Sequence, residues 1–439
     1  MKRFFSDEGK RDYIFLVDEA HNLLDRGRSM YSATLKKESF LVMKHLVADV
    51  DNIMAKALER CNKELLALKR QCTNYIIDPP IEEFVKKLLR LTSAIEDFLE
   101  ENEDSDAHRE VLDFYFEVSH FNMIYELLDD KYVIYTQQEE DGDFSVNLFN
   151  VDPSNNLGGC MQRGRSSILF SATLLPIQYY KKLLGGTKED YEVYVKSTFN
   201  PAKKGLFIGN DVTSKYTRRN DNEYRTIALY IDKITSERTG NYMIFFPSHS
   251  FLKNVLTIYQ TEFKRKNVEC LVQETGMSEE KREEFLHRFE GNTECCLEEQ
   301  IHFDIEIEEE TTLLGFCVMG GLFSEGIDLK NDALIGAIIV GTGVPQVCNE
   351  NEIIKNYFDG SEGYGFDYAY RYPGMNKVLQ AAGRVIRTHD DVGIVALLDE
   401  RFLTSGYQKM FPREWEHFDV VSKDLVSKRV ERFWNEWLF

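Results

Sequence analysis

The chain has 439 residues, 43% of them hydrophobic, with a formal net charge of −21. This length predicts roughly two to four domains, and no apolar stretch approaches the ~18 residues of a membrane helix, so we expect a cytoplasmic protein with no membrane partner. Acidic residues concentrate in three segments, 96–110, 139–143 and 298–310, so the overall charge does not exclude a nucleic-acid partner.

The first predicted strand ends in two carboxylates and a histidine. Residues 13–17 are apolar, with β-branched and aromatic side chains, and Asp18, Glu19 and His21 follow them. Ligands of open α/β sheets bind at the carboxyl ends of strands, so a Mg-nucleotide would bind here. One carboxylate would hold the Mg²⁺ shell and the other would polarise the attacking water. The alternative is an ordinary strand-to-helix turn, in which Asp18 is only a helix N-cap.

Residues 31–150 are predicted to form an all-helical insertion that is closed by strands. Apolar residues recur there at helical spacing, and Pro79-Pro80 interrupts them once. Two short segments of alternating character, 132–136 and 144–149, predict a β-hairpin at the end of the block.

The rest of the chain alternates predicted strands with helices. A strand at 166–170 precedes Ser171 and Thr173, so hydroxyl groups again emerge at the carboxyl end of a strand. The later predicted strands are 242–246, 269–273, 313–318, 334–340 and 392–398, and the predicted helices between them include 251–264 and 278–289. This alternation predicts a parallel sheet with helices on both faces.

Two segments of the second half place polar groups where a strand ends. Ser248 follows a predicted strand that stops at Pro247. A glycine-rich stretch, residues 320–329, follows another strand, and its backbone can approach a phosphate or ribose closely. Alone, such a stretch is weak evidence for a ligand site.

A third segment of the second half carries two arginines. Gln380, Arg384 and Arg387 are spaced to share one face of a predicted helix. The planar guanidinium suits phosphate oxygens, and arginines that cross a domain boundary stabilise charge in phosphoryl transfer. The alternative is a solvated basic helix end.

The order of these segments along the chain resembles one enzyme family. DEAH, SATL, FFPS, GGLFSEGIDL and QAAGRVIR follow one another as in superfamily 2 DNA helicases, and more narrowly as in the XPD and DinG-like branch. The resemblance covers about residues 12–35 and 160–415. It implies an α/β fold made of a remnant of the first motor domain at 1–30 and 151–200, an arch-like helical insertion at 31–150, and a second RecA-like helicase domain at 201–439.

The resemblance also implies roles for individual residues around ATP. Asp18 would help to hold Mg²⁺ through water together with Glu19, Glu19 would activate the hydrolytic water, and His21 would link the nucleotide state to the neighbouring motif. From the second motor domain, Gln380, Arg384 and Arg387 would face the nucleotide, with the arginines acting as fingers.

Further residues are implied at the nucleic acid and between the motor domains. Ser171 and Thr173 would couple hydrolysis to strand movement, and Ser248 belongs to the same coupling and nucleic-acid set. Glu325, Gly326 and Asp328 would lie at the cleft between the motor domains and touch both nucleotide and nucleic acid.

The chain departs from the family in one respect. No Gly-x-x-x-x-Gly-Lys-Ser/Thr phosphate loop occurs in it, and Gly9-Lys10-Arg11 lacks both the upstream glycine and the hydroxyl. In the family this loop and the four cysteines of an iron–sulfur cluster precede the DEAH segment, whereas seventeen residues precede Asp18 here. An iron–sulfur cluster is therefore expected only in a missing upstream region.

We therefore expect the carboxy-terminal part of an ATP-dependent DNA helicase. The resemblance implies translocation on single-stranded DNA in the 5′ to 3′ direction, with the missing amino-terminal motor half as a partner and with little ATPase activity in this chain alone. The alternative is a stand-alone, nonenzymatic nucleic-acid-binding or scaffold module. The segments FSEGIDL and GRVIR fit the XPD-like branch better than a DEAH-type RNA helicase.

Overall fold

The computed structural model describes residues 13–139, 141–294, 311–321, 323, 329 and 331–438. Contacts divide the chain into two units: residues 1–190 with 348–361, and residues 191–347 with 362–439. The four predicted domains stay a prediction. Within the described residues, no helix is long and apolar enough to cross a membrane.

The first unit contains six strands and seven helices from the first part of the described chain. The strands are β1 (Ile14–Val17), β2 (Ala33–Lys36), β3 (Tyr75–Ile77), β4 (Tyr132–Gln138), β5 (Phe144–Asn150) and β6 (Ser166–Leu169). The helices are α1 (His21–Met30), α2 (Lys37–Val47), α3 (Asn52–Gln71), α4 (Glu82–Glu101), α5 (His108–Glu126), α6 (Ser154–Met161) and α7 (Ile177–Leu183).

Two sheets organise this unit. β1 and β6 pair in parallel, with Val17 opposite Leu169, although more than a hundred residues separate them in the chain. Nearly all of those residues form the insertion, where α2 to α5 pack beside an antiparallel sheet of order β2-β5-β4-β3. The predicted hairpin is confirmed as β4 and β5, whereas β2 and β3 were not predicted. The block is thus a helical layer with a four-stranded sheet rather than helices closed by a hairpin alone.

The second unit is an α/β domain. Its strands are β7 (Lys204–Gly209), β8 (Asn241–Phe246), β9 (Val268–Val272), β10 (Thr312–Val318), β11 (Gly336–Val340), β12 (Gly393–Leu398) and β13 (Asp419–Val421). The helices in this part of the chain are α8 (Asp221–Thr235), α9 (His249–Ile258), α10 (Glu279–Glu294), α11 (Asn349–Glu362), α12 (Tyr372–Ala382), α13 (Ser405–Gln408) and α14 (Val426–Leu438).

The seven strands form one parallel sheet of order β13-β7-β12-β11-β8-β10-β9. Every residue of the central strands β8, β11 and β12 is buried, which is the state of a parallel sheet that is covered on both faces. The predicted RecA-like α/β fold is confirmed. One element departs from its neighbours: α11 is encoded between β11 and α12 but packs in the first unit.

Candidate functional site

Pairing of β1 with β6 brings the DEAH and SATL segments together. The amide of Phe170 donates to the carbonyl of Val17 (3.0 Å), and the amide of Ala20 donates to the carbonyl of Phe170 (3.1 Å). These bonds carry the ladder one step past the strands, so both polar segments leave the sheet at the same edge. The predicted convergence at a strand edge is therefore present in the first unit.

The two carboxylates sit on a tight turn. Glu19 adopts φ +48°, a left-handed conformation that is uncommon for residues other than glycine and that persists where the surroundings enforce it. Its amide donates to Asp18 Oδ1 at 2.7 Å, so that oxygen already serves the turn. Both carboxylates are exposed to solvent. Asp18 is thus a turn-forming residue that still presents a carboxylate at the strand end.

His21 connects the two segments through a buried imidazole. Its Nδ1 lies 2.7 Å from Ser171 Oγ and 3.2 Å from Thr173 Oγ1. Ser171 in turn donates its hydroxyl to Glu19 Oε2 at 3.1 Å. Because a hydroxyl has one proton, a Ser171 that donates to Glu19 can also hydrogen-bond to His21 only in the tautomer that carries a hydrogen on Nδ1. In that tautomer the hydrogen bonds run from histidine to serine to glutamate.

The fit of a metal ion here depends on a ligand from outside the protein. Among the residues that the structure describes, no group of three His, Cys, Asp or Glu side chains could hold a metal ion. Magnesium is commonly bound by one or two carboxylates together with water and substrate phosphates. The adjacent carboxylates of Asp18 and Glu19 fit that pattern only when a nucleotide supplies the remaining oxygens.

The second unit carries a cleft at the carboxyl ends of β8, β9 and β10. It encloses about 660 Å³ and is lined by His249, Gln273, Glu274, Gly276, Met277, Arg282, Gly320 and Gly321. Gln273 is buried and accepts a bond from the amide of Val318 at 2.8 Å, which ties the ends of β9 and β10 together. Gly320 has φ +71°, so the chain turns at the wall of the cleft where a side chain would be strained.

Sequence reasoning missed His249 and Arg282 as lining residues of this cleft. Both lie near helix starts that follow strands, and that position was the available signal. Ser248, which was singled out instead, caps α9 by accepting a bond from the amide of Phe251 at 3.2 Å. Its coupling role stays a prediction, and its observed contact explains its place at a helix start.

Gln380, Arg384 and Arg387 do not share one helix face. α12 ends at Ala382 with Gly383 as its C-cap, so both arginines lie beyond the helix and only Gln380, which is buried, lies on it. Asp391 accepts bonds from the amides of Arg387 (2.6 Å) and Thr388 (2.7 Å). These bonds fold the chain into a loop in place of a further helical turn. The predicted nucleotide contacts of the three side chains stay predictions.

This loop lies at the opposite edge of the sheet from the cleft. α12 leads from the carboxyl end of β11 back to the amino end of β12. Val385, which follows α12, packs closely against the start of β12: a Cβ added to Gly393 would lie only 2.3 Å from its side chain. Glu325, Gly326 and Asp328 lie outside the described residues.

A buried ion pair at the end of β12 was not predicted. Asp399 is fully buried and receives both Nε and Nη2 of Arg401 at 2.8 Å, together with the amide of Ser214 at 2.8 Å. Burial alone raises the pKa of Asp399, but the hydrogen bonds and charge of Arg401 and the Ser214 amide outweigh it, so the pKa is lowered. The network joins the ends of β7 and β12.

Comparisons with known proteins agree with one another in pointing to helicases. The helicase C-terminal domain family matches residues 231–418. ATP-dependent DNA helicase XPD of Sulfolobus acidocaldarius is 24% identical over 428 residues, which cover 93% of this chain and 68% of that protein. ATP-dependent DNA helicase CHL1 of Candida albicans is 26% identical over 297 residues, which cover 61% of this chain and 33% of that protein.

Solved structures show the same fold at lower identity. The structure of S. tokodaii Xpd4 is 15% identical, with a TM-score of 0.62 over 96% of this chain and 79% of that chain. A structure titled XPD helicase is 20% identical, with a TM-score of 0.56 over 96% of this chain and 72% of that chain. The chain spans about two thirds of the archaeal sequence relative and one third of the yeast one.

Proposed function

Because the chain carries a helicase C-terminal domain and is similar to XPD-like DNA helicases over 93% of its length, we propose that the protein in its complete form couples ATP hydrolysis to translocation on single-stranded DNA. The family resemblance gives the 5′ to 3′ direction. The observation that carries the proposal is the hydrogen-bonded set His21, Ser171 and Glu19, which joins the DEAH and SATL segments at one strand edge.

In this proposal Glu19 is the general base, because its carboxylate is 62% exposed at the end of the strand and lies 3.3 Å from His21 Nδ1. Bound Mg²⁺ would neutralise charge on the phosphates, held by Asp18 and by Glu19 through water. His21 and Ser171 orient the Glu19 carboxylate by the proton order described above. Thr173, buried beside His21, makes the set sensitive to movement of the SATL segment.

The second unit would contribute from both edges of its sheet. Gln380, Arg384 and Arg387 would face the nucleotide, and Asp391 holds the backbone of Arg387 in place for that task. Glu325, Gly326 and Asp328 would contact nucleotide and DNA, and Ser248 would lie beside the DNA. The cleft at the carboxyl ends supports a strand-binding role, because Arg282 can pair with a phosphate and the glycines admit close approach.

The phosphate loop would come from a partner, the amino-terminal motor half. The support is a sheet face in the first unit that exposes four apolar side chains: Ile14 (58%), Leu16 (67%), Ile168 (51%) and Phe170 (45%). Parallel sheets are normally covered on both faces, so this one is suited to receive further polypeptide. Without the partner, the chain is expected to hydrolyse little ATP.

The test is reconstitution. The chain is mixed with the amino-terminal half of the helicase, and DNA-stimulated ATP turnover is measured for wild type, Glu19→Gln and the control Asp25→Asn, which alters an exposed carboxylate on the following helix. We expect Glu19→Gln to lower turnover by at least about 100-fold and the control to match wild type.

Equal turnover in Glu19→Gln and wild type would reject the general-base role. If the mixture binds single-stranded DNA but no hydrolysis occurs in wild type, the nonenzymatic module becomes the better description.

A further inference from the structure

Helix α11 is encoded in one unit and docked in the other. It follows β11 and precedes α12, and both of these lie in the second unit. Residues 348–361 nevertheless belong to the first unit by their contacts. The chain therefore passes between the units at 190–191, at 347–348 and at 361–362, and the last two passages flank a single helix.

The docking face of α11 has a buried apolar centre. Ile353, Ile354 and Phe358 are exposed by only 2%, 6% and 1%. Lys182 of α7 lies over the Phe358 ring with its Nζ 5.8 Å from the centroid. A helix that buries three large side chains is held by packing and not only by its connection to the chain.

Polar contacts fix the position of the helix on the insertion. The hydroxyl of Tyr135 on β4 donates to Glu350 Oε1 at 3.2 Å, and the Asn349 amide donates to Gln137 Oε1 at 3.1 Å. Burial and the neighbouring Glu350 raise the pKa of Tyr135, so its hydroxyl keeps the proton that it donates. At the other end, Tyr357 donates to the carbonyl of Asp130 at 3.1 Å. α11 thus bridges β4, the turn before it and α7.

The segments on either side of α11 have the character of hinges. Residues 345–348 are mostly exposed, with Val347 at 72%. On the other side, Gly363 is exposed and has φ +74°, a conformation that glycine adopts without strain. Fully extended, the four residues 345–348 span at most ~14 Å and the two residues 363–364 span ~7 Å, so a docked α11 permits only a limited excursion.

We propose that α11 is a docked tether, which stays on the first unit when the second unit moves and so limits the separation between the units. Its chain neighbour α12 carries Gln380, so the tether links the first unit to the segment that leads into the two arginines. The tether requires no ATP hydrolysis and stands apart from the proposed function.

The test is the distance distribution between two spin labels on the full chain. The labels replace exposed residues Lys56 on α3 and Asn254 on α9, and they are carried on bio-orthogonal amino acids because the chain has eight cysteines. The undocking variant is Ile353→Asp with Phe358→Asp. The matched control is Asn356→Asp, which adds a charge to the exposed side of the same helix.

We expect the undocking variant to broaden the distribution to at least about twice the wild-type width, and the control to leave it unchanged. Hydrogen exchange of the α11 amides shows whether the helix has left its site. A second variant replaces residues 349–361 with a Gly-Ser linker of equal length, and Tyr135→Phe provides a mild change that keeps the apolar packing.

Three results would overturn the tether. One is a wild-type width in the linker variant, because the helix is then absent and nothing has been released. Another is fast exchange of the α11 amides in the wild-type chain, because the helix is then not held. A broad distribution in wild type and variants alike counts against the proposal in the same way.

Discussion

Ser171 joins the SATL segment to the DEAH segment at the site in the first unit. Its hydroxyl accepts from His21 at 2.7 Å and donates to Glu19 at 3.1 Å, and its oxygen also accepts the amide of Thr173 at 3.2 Å. An alanine at this position keeps the backbone but removes the hydroxyl that hydrogen-bonds to both the histidine and the carboxylate. ATP hydrolysis and movement along the DNA strand should then become uncoupled, while each still occurs.

In the reconstituted helicase, Ser171→Ala is expected to lower the length of duplex opened per ATP hydrolysed by about tenfold. A factor of about ten corresponds to the free energy of one hydrogen bond to a charged group. Duplex opening and ATP turnover are measured on the same sample. Ser166→Ala, an exposed serine at the start of the same strand, serves as control. A parallel fall in both rates would mean that Ser171 acts in hydrolysis alone.

Asp399 offers a pH-dependent test in the second unit. Removal of its charge leaves the part-buried Arg401 without its carboxylate partner, so Asp399→Asn should lower the free energy of unfolding at pH 7 by about 3 kcal/mol. Since the folded pKa of Asp399 is lowered, its stabilisation is complete above the ordinary aspartate pKa of about 3.9 and is lost as pH falls through the folded value.

The variant should therefore lose stability less steeply than wild type below about pH 4. Tryptophan fluorescence isolates the second unit, because Trp415, Trp434 and Trp437 all lie there. Asp390→Asn, which changes an exposed aspartate at the opposite end of β12, is the control and should match wild type. Identical acid slopes in wild type and Asp399→Asn would show that Asp399 is not the titrating group.

Among individual residues, the sequence predicted those that directly follow strands and missed those that hydrogen-bond to residues distant in the chain. Asp18, Glu19 and His21 were found because polar groups after an apolar run are visible locally. Asp399 and Ser214 are 185 positions apart, and only the order of strands in the sheet makes them neighbours. A single sequence carries no signal for such a pair.

The helices of the insertion meet at Phe40 of α2. Its ring lies edge-on to Phe84 of α4 (6.0 Å between centroids) and to Phe114 of α5 (5.2 Å). All three side chains are buried, so one aromatic cluster holds three helices. The insertion should therefore respond to one substitution as a cooperative element.

Phe40→Ala is expected to destabilise the insertion by about 3–5 kcal/mol through the cavity that it leaves. Hydrogen exchange of the full chain should speed up in α2, α4 and α5 together, while the tryptophan signal of the second unit stays at its wild-type value. Phe116→Ala removes a ring on α5 that is 59% exposed and should change stability by less than about 0.5 kcal/mol. Faster exchange in α2 alone would argue against a shared core.

Helices and strands were predicted where the apolar periodicity extends over many residues. They were missed where pairing with a distant segment determines the secondary structure. The long helices α3 and α4 have regular apolar spacing. β3 has only three residues, and it forms because β4 offers an edge beside it. The helix predicted through Arg387 ends at Ala382, and beyond it Asp391 holds the amides of Arg387 and Thr388 in a loop.

At the scale of the whole molecule, the two parallel sheets of the described residues differ in how far they are covered. The seven-stranded sheet of the second unit is buried through its central strands. The parallel sheet of the first unit has two strands among the described residues and leaves one face to solvent, with Leu16 at 67%. Sheets of this kind gain stability from further strands and from helices on their faces. In the proposal, this exposed face is the binding surface for the amino-terminal half.

Leu16→Asp combined with Ile168→Asp is therefore expected to weaken association with that half by at least about tenfold, since two apolar side chains would otherwise become buried on binding. Association is measured by titration with the labelled amino-terminal half. Ile53→Asp provides the control, because Ile53 is 75% exposed on α3 of the insertion, and it should bind as wild type does.

Because both substituted positions, Leu16 and Ile168, are already exposed, the double variant should stay folded, which its α-helical circular dichroism will show. Equal affinity in the double variant would place the binding surface elsewhere. A wild-type chain that sediments as a dimer and becomes monomeric in the double variant would instead assign this face to a second copy of the chain.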